Sequence, residues 1–293
     1  LSTCCSVFTG QLVQLRRLHH KALFIERAQS IGLPVPETIL LETPDGLPAA
    51  FERLGRIVLK PASSRFASRT VIDPLRSLPA QALPITPGAP WVAQRYLQGR
   101  PLCSYSVAHG GRLTAHAVYE SEFTAGPGAT IHFRHADHPG VLDWVSHFVA
   151  AENFTGQIAF DFIETPDDSL YAIECNPRAT SGVHLLAGVP GFSRALLDPD
   201  TPLVTAAGAP PVMLASAMLI YGLPTALRKR HLRRWAAEMT RSKDAVFTWH
   251  DPLPALLQGR SVLRFLLDGW RRGISPLEAS TADIEWNGED ILL

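Results

Sequence analysis

Two runs of alternating apolar and polar residues stand near the middle of the chain, at positions 157–164 and 170–176. The turn-forming sequence Thr165-Pro166-Asp167-Asp168-Ser169 separates them, which predicts a β-hairpin. With Asp161 opposite Glu174, Ile163 falls opposite Ala172 and Ala159 opposite Asn176. The reverse face then carries Phe160, Phe162, Ile173 and Cys175, all apolar. Successive strand residues point to opposite sides, so one face packs while the other presents two carboxylates and an amide.

The remaining pattern alternates helical and extended segments. Leu23, Phe24, Arg27 and Ala28 fall at helical spacing within 19–30, and Gly32 and Pro34 end that helix. A strand at 38–41, a turn at Asp45-Gly46 and a helix at 47–54 follow. Residues 56–60 form a strand whose end delivers Lys60 into the next loop, and the Pro- and Ala-rich stretch 74–90 is a connection. Strands at 91–97, 102–108 and 113–120 come next, the last two joined by the hairpin turn His109-Gly110-Gly111. After a Gly-rich loop at 124–128, Leu142, Val145, Phe148 and Val149 mark a helix over 141–154. Beyond residue 202 the texture changes to helices at 213–221, 225–240 and 260–272, broken by Gly222, Pro224, Pro252 and Pro254. A final strand and turn are expected at 282–288, and no internal repeat is present.

Composition narrows the function classes. The 293 residues carry 27 basic and 27 acidic side chains, so no bulk field favours nucleic acid or an anionic membrane. With 46% hydrophobic residues the chain is globular rather than disordered. Cys4, Cys5, Cys103 and Cys175 show neither a CxxC pair nor metal-ligand spacing. A reduced thiol at Cys175, on the apolar hairpin face, fits a cytosolic compartment. The longest apolar run, 211–224, is about half the length of a membrane span and suits a buried helix. The basic run Arg228-Lys229-Arg230-His231-Leu232-Arg233-Arg234 suits a solvated helix face in a chain of balanced charge.

Chemistry concentrates on the polar hairpin face. Asp161, Glu174 and Asn176 offer the hard oxygen ligands that suit Mg²⁺, which binds through one or two carboxylates plus substrate phosphates. Arg178, two residues on, is a fixed cation able to hold a transferring phosphoryl group. Spacing alone fits an ordinary solvated hairpin equally well. Lys21 by itself reads as a solvated helix lysine; Lys60 ends an apolar strand before Pro61 and a loop of small residues. Glu120, Glu122, His132, Arg134 and His135 lie around the Gly-rich loop, and His184 follows the Thr180-Ser181-Gly182 turn; for each of the 11 histidines a packing or surface role is the simpler reading.

Four segments taken together resemble the ATP-grasp superfamily, in particular its carboxylate–amine ligase and carbamoyl-phosphate-synthetase-like domains. They are His20-Lys21-Ala22-Leu23-Phe24 with Gly32-Leu33-Pro34-Val35-Pro36-Glu37, then Arg56-Ile57-Val58-Leu59-Lys60-Pro61, then the hinge-like 91–99, then the 156–178 hairpin. Their order and spacing agree over roughly residues 21–202. The resemblance implies an α+β, two-lobed fold with an antiparallel sheet in the larger lobe and a mostly helical C-terminal region. It divides the chain into a remnant or linker (1–20), a smaller lobe with lysine strand and hinge (21–96), a larger lobe with the metal site (97–203), and the helical region (204–293). The chain begins at Leu1 and supplies no preceding α/β domain of the kind the family usually carries, so a fragment or processed chain is expected.

The resemblance also implies roles. Lys21 and Lys60 would contact ATP phosphates, Gln94 and the backbone of Arg95 and Leu97 would read adenine, and Asp161, Glu174 and Asn176 would ligate Mg²⁺ or Mn²⁺. Arg178 would act catalytically with Lys60. Three departures stand out. The loop 62–69 lacks the family's glycines, and its Arg65 and Arg69 are either substitute phosphate clamps or simply exposed. Pro101 stands near the family's ribose-binding acid, and Asp161 where many members have glutamate. The implied activity is ATP-dependent ligation. A small-molecule carboxylate becomes an acyl-phosphate and an amine or thiol displaces phosphate, with release of ADP. Its alternatives are a carboxylase-like or kinase-like phosphotransferase and a nucleotide-binding relative without turnover. Neither nucleic acid nor membrane is an expected partner, and the sequence carries no signal for oligomeric state.

Overall fold

Short alternating segments in the first third of the chain build one sheet, and the longer ones build another. The computed structural model describes residues 7–63, 70–74, 83–125 and 129–280. Arg65, Arg69 and the strand expected at 282–288 lie outside the described residues. The smaller sheet is antiparallel, in the order Thr38–Leu41, Trp91–Arg95, Ile57–Pro61, Val71–Ile72. Helix Leu47–Leu54 covers it because its Leu47, Ala50, Phe51 and Leu54 share one stripe and pack with Ile57, Leu59, Trp91 and Ala93.

The larger sheet has eight strands. Its main path runs Leu170–Asn176, Gly156–Glu164, Arg100–His109, Arg112–Glu120, His132–His135, Val212–Met213 and Lys243–Asp244. The pairs along the long strands are antiparallel, as expected. Two short parallel pairings come from beyond residue 203: Val204–Thr205 beside Arg112–Glu120, and Val212–Met213 beside Lys243–Asp244. The turn at Gly110 and Gly111 has φ of 53° and 82°, the left-handed geometry that a two-residue hairpin turn requires.

Helices Lys21–Ser30 and Pro139–Glu152 cover the back of this sheet. Phe24, Trp144 and Phe148 close around Phe160 at centroid distances of 6.0, 5.2 and 5.2 Å. A further helix, Leu12–His19, occupies part of the stretch expected as remnant or linker. Leu12, Leu15 and Leu18 recur every third residue, and Leu18 is fully buried. Glu152 anchors it: its buried carboxylate accepts from Arg17, Arg27 and Gln14, the pairing that burial of a charge demands.

The C-terminal region is mostly helical but differs in detail from the expected helices. Position 213 ends a strand, because Met213 pairs with His132 on one side and Asp244 on the other; Ala215–Ala217 and a π-helical turn, Met218–Gly222, follow it. The expected helix over 225–240 is two, Leu223–Arg228 and Leu232–Arg241, parted at Arg230 with φ of 58°. The last long helix starts earlier than expected, at Leu253, with Pro254 tolerated in its first turn. Among the described residues, no helix is long and apolar enough to cross a membrane.

Candidate active site

The predicted hairpin forms between Gly156–Glu164 and Leu170–Asn176, with Asp161 opposite Glu174 and Ala159 opposite Asn176. The expected pairing of Ile163 with Ala172 does not occur. Phe162 meets Ala172 instead and Ile163 meets Tyr171, because a β-bulge inserts Ile173 beside Asp161. The Ala172 N–H donates to Pro34 O, at 3.3 Å. The insertion turns Ile173 out of the apolar face and into the wall of a cleft, while Ala172 takes its place in the core. It also frees the Ile173 carbonyl, which accepts from Lys60 Nζ at 3.1 Å.

Lysines from two elements converge on the carboxylate row. Lys21 Nζ lies 3.6 Å from Glu174 Oε1, and Lys60 Nζ 4.0 Å from Oε2; both lysines are buried. Lys21 opens its helix and its backbone N–H donates to Ala62 O at 2.8 Å, which ties that helix to the end of the lysine strand. Arg178 donates to Asn176 Oδ1 at 2.9 Å and to Ala179 O at 3.1 Å. Thus the structure brings Lys21, Lys60, Asp161, Glu174, Asn176 and Arg178 together.

The charges are strained against one another. Burial, then the repulsion of Glu174, raises Asp161 to a pKa of about 6. For Glu174 burial acts in the same sense, but Lys21 and Lys60 overcome it and hold this carboxylate below its ordinary value. Burial brings Lys60 down to about 8 against the pull of Glu174. Two carboxylates side by side and one amide oxygen fit Mg²⁺ in their chemistry: all are hard oxygen donors, and a cation would relieve the repulsion felt by Asp161. Among the described residues no group of three or more His, Cys, Asp or Glu side chains is arranged to enclose a metal. That incomplete set suits an ion whose remaining ligands are water and phosphate.

The cleft has a volume of about 750 Å³ and runs from the hinge past this row. Gln94, Arg95, Leu97 and Pro101 line its hinge end. The Arg95 N–H already donates to Glu37 O at 2.8 Å, and Tyr96 N–H to Arg56 O at 2.9 Å. Of the two hinge amides expected to meet adenine, Leu97 therefore remains without a partner among the described residues. Gln94 is held by its amide nitrogen on Thr38 Oγ1 at 3.1 Å. Gly99 is required here, since a Cβ would sit 2.2 Å from Glu164 O.

Past the metal-type ligands the cleft uses residues that the sequence did not single out. Registry places Glu174, Asp161, Cys103, Tyr119 and His135 in one row across five strands. Cys103 and Tyr119 therefore stand beside Asp161, and burial drives both their pKa values upward. Thr130 and Phe133 join them there, together with Ser181 and His184 of the turn that the sequence did point to. The hairpin turn at 109–111 alone would set Cys103 opposite Val118; a register shift between Val107 and Ala108 brings it opposite Tyr119 instead. Of the charged and histidine side chains around the Gly-rich loop, His132 and Arg134 are instead tied to buried Glu238, and Glu122 to Arg234. Cys175 is buried in the core as expected.

No family model matches the chain. It is similar to the C-terminal section of the carbamoyl phosphate synthase large chain of Methanopyrus kandleri, 24% identical over 212 residues. That match covers 64% of this chain and 39% of the relative, so the chain spans well under half of its length. Among solved structures it is similar to carboxyaminoimidazole ribonucleotide synthase from Aspergillus clavatus complexed with ATP. The TM-score is 0.58 at 18% identity, over 69% of this chain and 57% of that one. It is also similar to phosphoribosylamine–glycine ligase from Thermotoga maritima, with a TM-score of 0.56 at 14% identity, over 70% and 60% of the two chains.

Proposed function

We infer that this chain, which has the ATP-grasp fold, is an ATP-dependent, ADP-forming ligase that activates a small-molecule carboxylate for attack by an amine or thiol. One observation carries the reading. Lys21 and Lys60, from different elements, both reach Glu174, which is paired across the sheet with Asp161 inside a nucleotide-sized cleft. A salt bridge kept only for stability is seldom built from two buried lysines on one carboxylate, given the desolvation of each ion.

In the proposed reaction a carboxylate oxygen attacks the γ-phosphorus of ATP and ADP leaves. The nucleophile then attacks the acyl carbon, phosphate leaves, and the amine or thiol gives up its proton. Phosphoryl transfer is chiefly positioning and charge neutralisation. Lys60 and Lys21 would hold phosphate oxygens, and Arg178 would meet charge developing on the transferred group. Leu97 N–H would fix the base at the hinge. Asp161, Glu174 and Asn176 would hold Mg²⁺, or Mn²⁺, which neutralises phosphate charge when bound. The buried row keeps water away from an acyl-phosphate, as the chemistry requires.

Thermal unfolding with and without Mg-ATP tests the site. At a hundredfold excess over Kd, binding adds about 2.7 kcal/mol, or several degrees in Tm. Lys60→Ala and Glu174→Ala should both abolish the Mg-dependent shift. No shift in the parent at millimolar Mg-ATP would overturn the reading. Hydroxylamine trapping separates the rivals: a hydroxamate marks the acyl-phosphate, whereas a kinase-like enzyme leaves a stable phosphorylated product.

A further inference from the structure

Away from the cleft, the long C-terminal helix Leu253–Arg272 has two unlike sides. On one side Ala255, Val262 and Phe265 are partly buried. Gly269 is buried there too, where the chain turns back: a Cβ would sit 2.9 Å from Ile274 O. The other side is open. Leu256 is 75% exposed, Leu263 56%, Leu266 49% and Trp270 82%. With Gly259 they fall at 256, 259, 263, 266 and 270, in steps of three and four. That is the narrow seam of a coiled coil, not the broader stripe by which a surface helix meets its own core. The charged residues of the helix, four arginines and Asp268, all stand off the seam.

The size and shape of the seam identify its occupant. Six leucines and Trp270 of this helix are exposed, at 44–82%. They offer roughly 500 Å² of apolar surface, taking a fully exposed leucine as about 100 Å² and a tryptophan as about 200 Å². Two copies would bury up to roughly 1,000 Å², where specific association begins. The chain as a whole is neutral, 27 charges of each sign, so copies do not repel in bulk.

Gly259 is the odd member. Glycine weakens a helix interior, yet among the described residues nothing lies within 4 Å of where its Cβ would be. It leaves a notch about 16 Å along the seam from Trp270, the largest side chain there. In an antiparallel pair, positions 256, 263 and 270 of one helix face 259 and 266 of the other. Trp270 then meets the partner's Gly259 and Leu263 meets the partner's Leu266, twice over about a two-fold axis. A parallel pair would set glycine on glycine and tryptophan on tryptophan, a void beside a clash.

We propose that Leu253–Arg272 is a self-association surface, covered by the same helix of a second copy running antiparallel, with each Trp270 seated over the partner's Gly259. This surface is separate from the cleft and does not depend on the reaction assigned to it.

Sedimentation equilibrium of the full chain, from micromolar to near-millimolar concentration, should show monomer and dimer in exchange. Gly259→Leu fills the notch and Trp270→Ala removes its occupant. Each should weaken the dimer by about a hundredfold or more, since the change is met twice in every pair. Both positions are exposed, so circular dichroism and Tm should show the monomer fold retained. The double variant Gly259→Leu/Trp270→Ala moves the bulk from one end of the seam to the other and should recover to within about tenfold of the parent. A monomer at every concentration would overturn the proposal, whether the seam then meets another partner or another part of the chain. So would a dimer that neither variant weakens, because it would use a different surface. Two monomeric single variants with no recovery in the double would overturn the antiparallel register.

Discussion

The two faces of the Gly156–Glu164 and Leu170–Asn176 hairpin share a backbone and almost nothing else. On the back, Phe160 and Phe162 are sealed by Phe24, Trp144 and Phe148, with each ring in favourable edge or stacked geometry. On the front, Asp161 and Glu174 face each other across the ladder with two buried lysines at hand. The back face is consistent at every level, apolar in sequence, buried in place and close-packed. The front face is electrostatically unsettled until something cationic and something anionic arrive together. Stability is therefore supplied from one side of a single sheet and, on the proposed reading, binding from the other.

The largest effect should come from breaking the back. Phe160→Ala would leave a cavity among four rings and cost about 3–5 kcal/mol, read from the denaturant midpoint. A loss below about 1 kcal/mol would mean the ring cluster does not carry the hairpin. The front is probed by pH. Asp161 must be ionised to ligate metal, so Mg²⁺ affinity measured by titration should fall below pH of about 6, approaching tenfold per unit. A flat profile from pH 5 to 8 would remove Asp161 from the ligand set. The smallest effect is a gain. Because folding raises the Asp161 pKa from 3.8 to about 6, the metal-free fold is favoured by its protonation and loses that contribution as pH rises through 6. Asp161→Asn should accordingly raise the metal-free Tm at pH 7.5 by a few degrees while weakening the response to Mg-ATP.

The contrast also explains what could be read from the sequence. Period-two alternation located both strands, and the register assumed there, with Asp161 opposite Glu174, is the one observed at that pair. The bulge did not, because Ile173 looks like one more apolar residue. What diverts the ladder is Pro34, far away in the chain, whose carbonyl takes the Ala172 N–H. Helix Leu12–His19 was hidden for a similar reason: its Leu-rich stripe is short, and Glu152, more than 130 residues away, fixes it through Arg17. Cys103 and Tyr119 carry no motif. They belong to the site only because strand registry places them beside Asp161. The Met213 strand reflects the same lesson, since an apolar run that could be helical was claimed by the sheet between His132 and Asp244.

The bulged carbonyl of Ile173 has one more consequence, for the order of events. Without a nucleotide it gives Lys60 a resting partner that bears no charge and does not titrate. The lysine is thereby held buried at the cleft wall between this carbonyl and Glu174 Oε2, 4.0 Å away. On the proposed reading, arrival of ATP would need only an exchange of acceptors at a side chain already in position. Recognition of a triphosphate would then begin from a cocked arrangement rather than from a search.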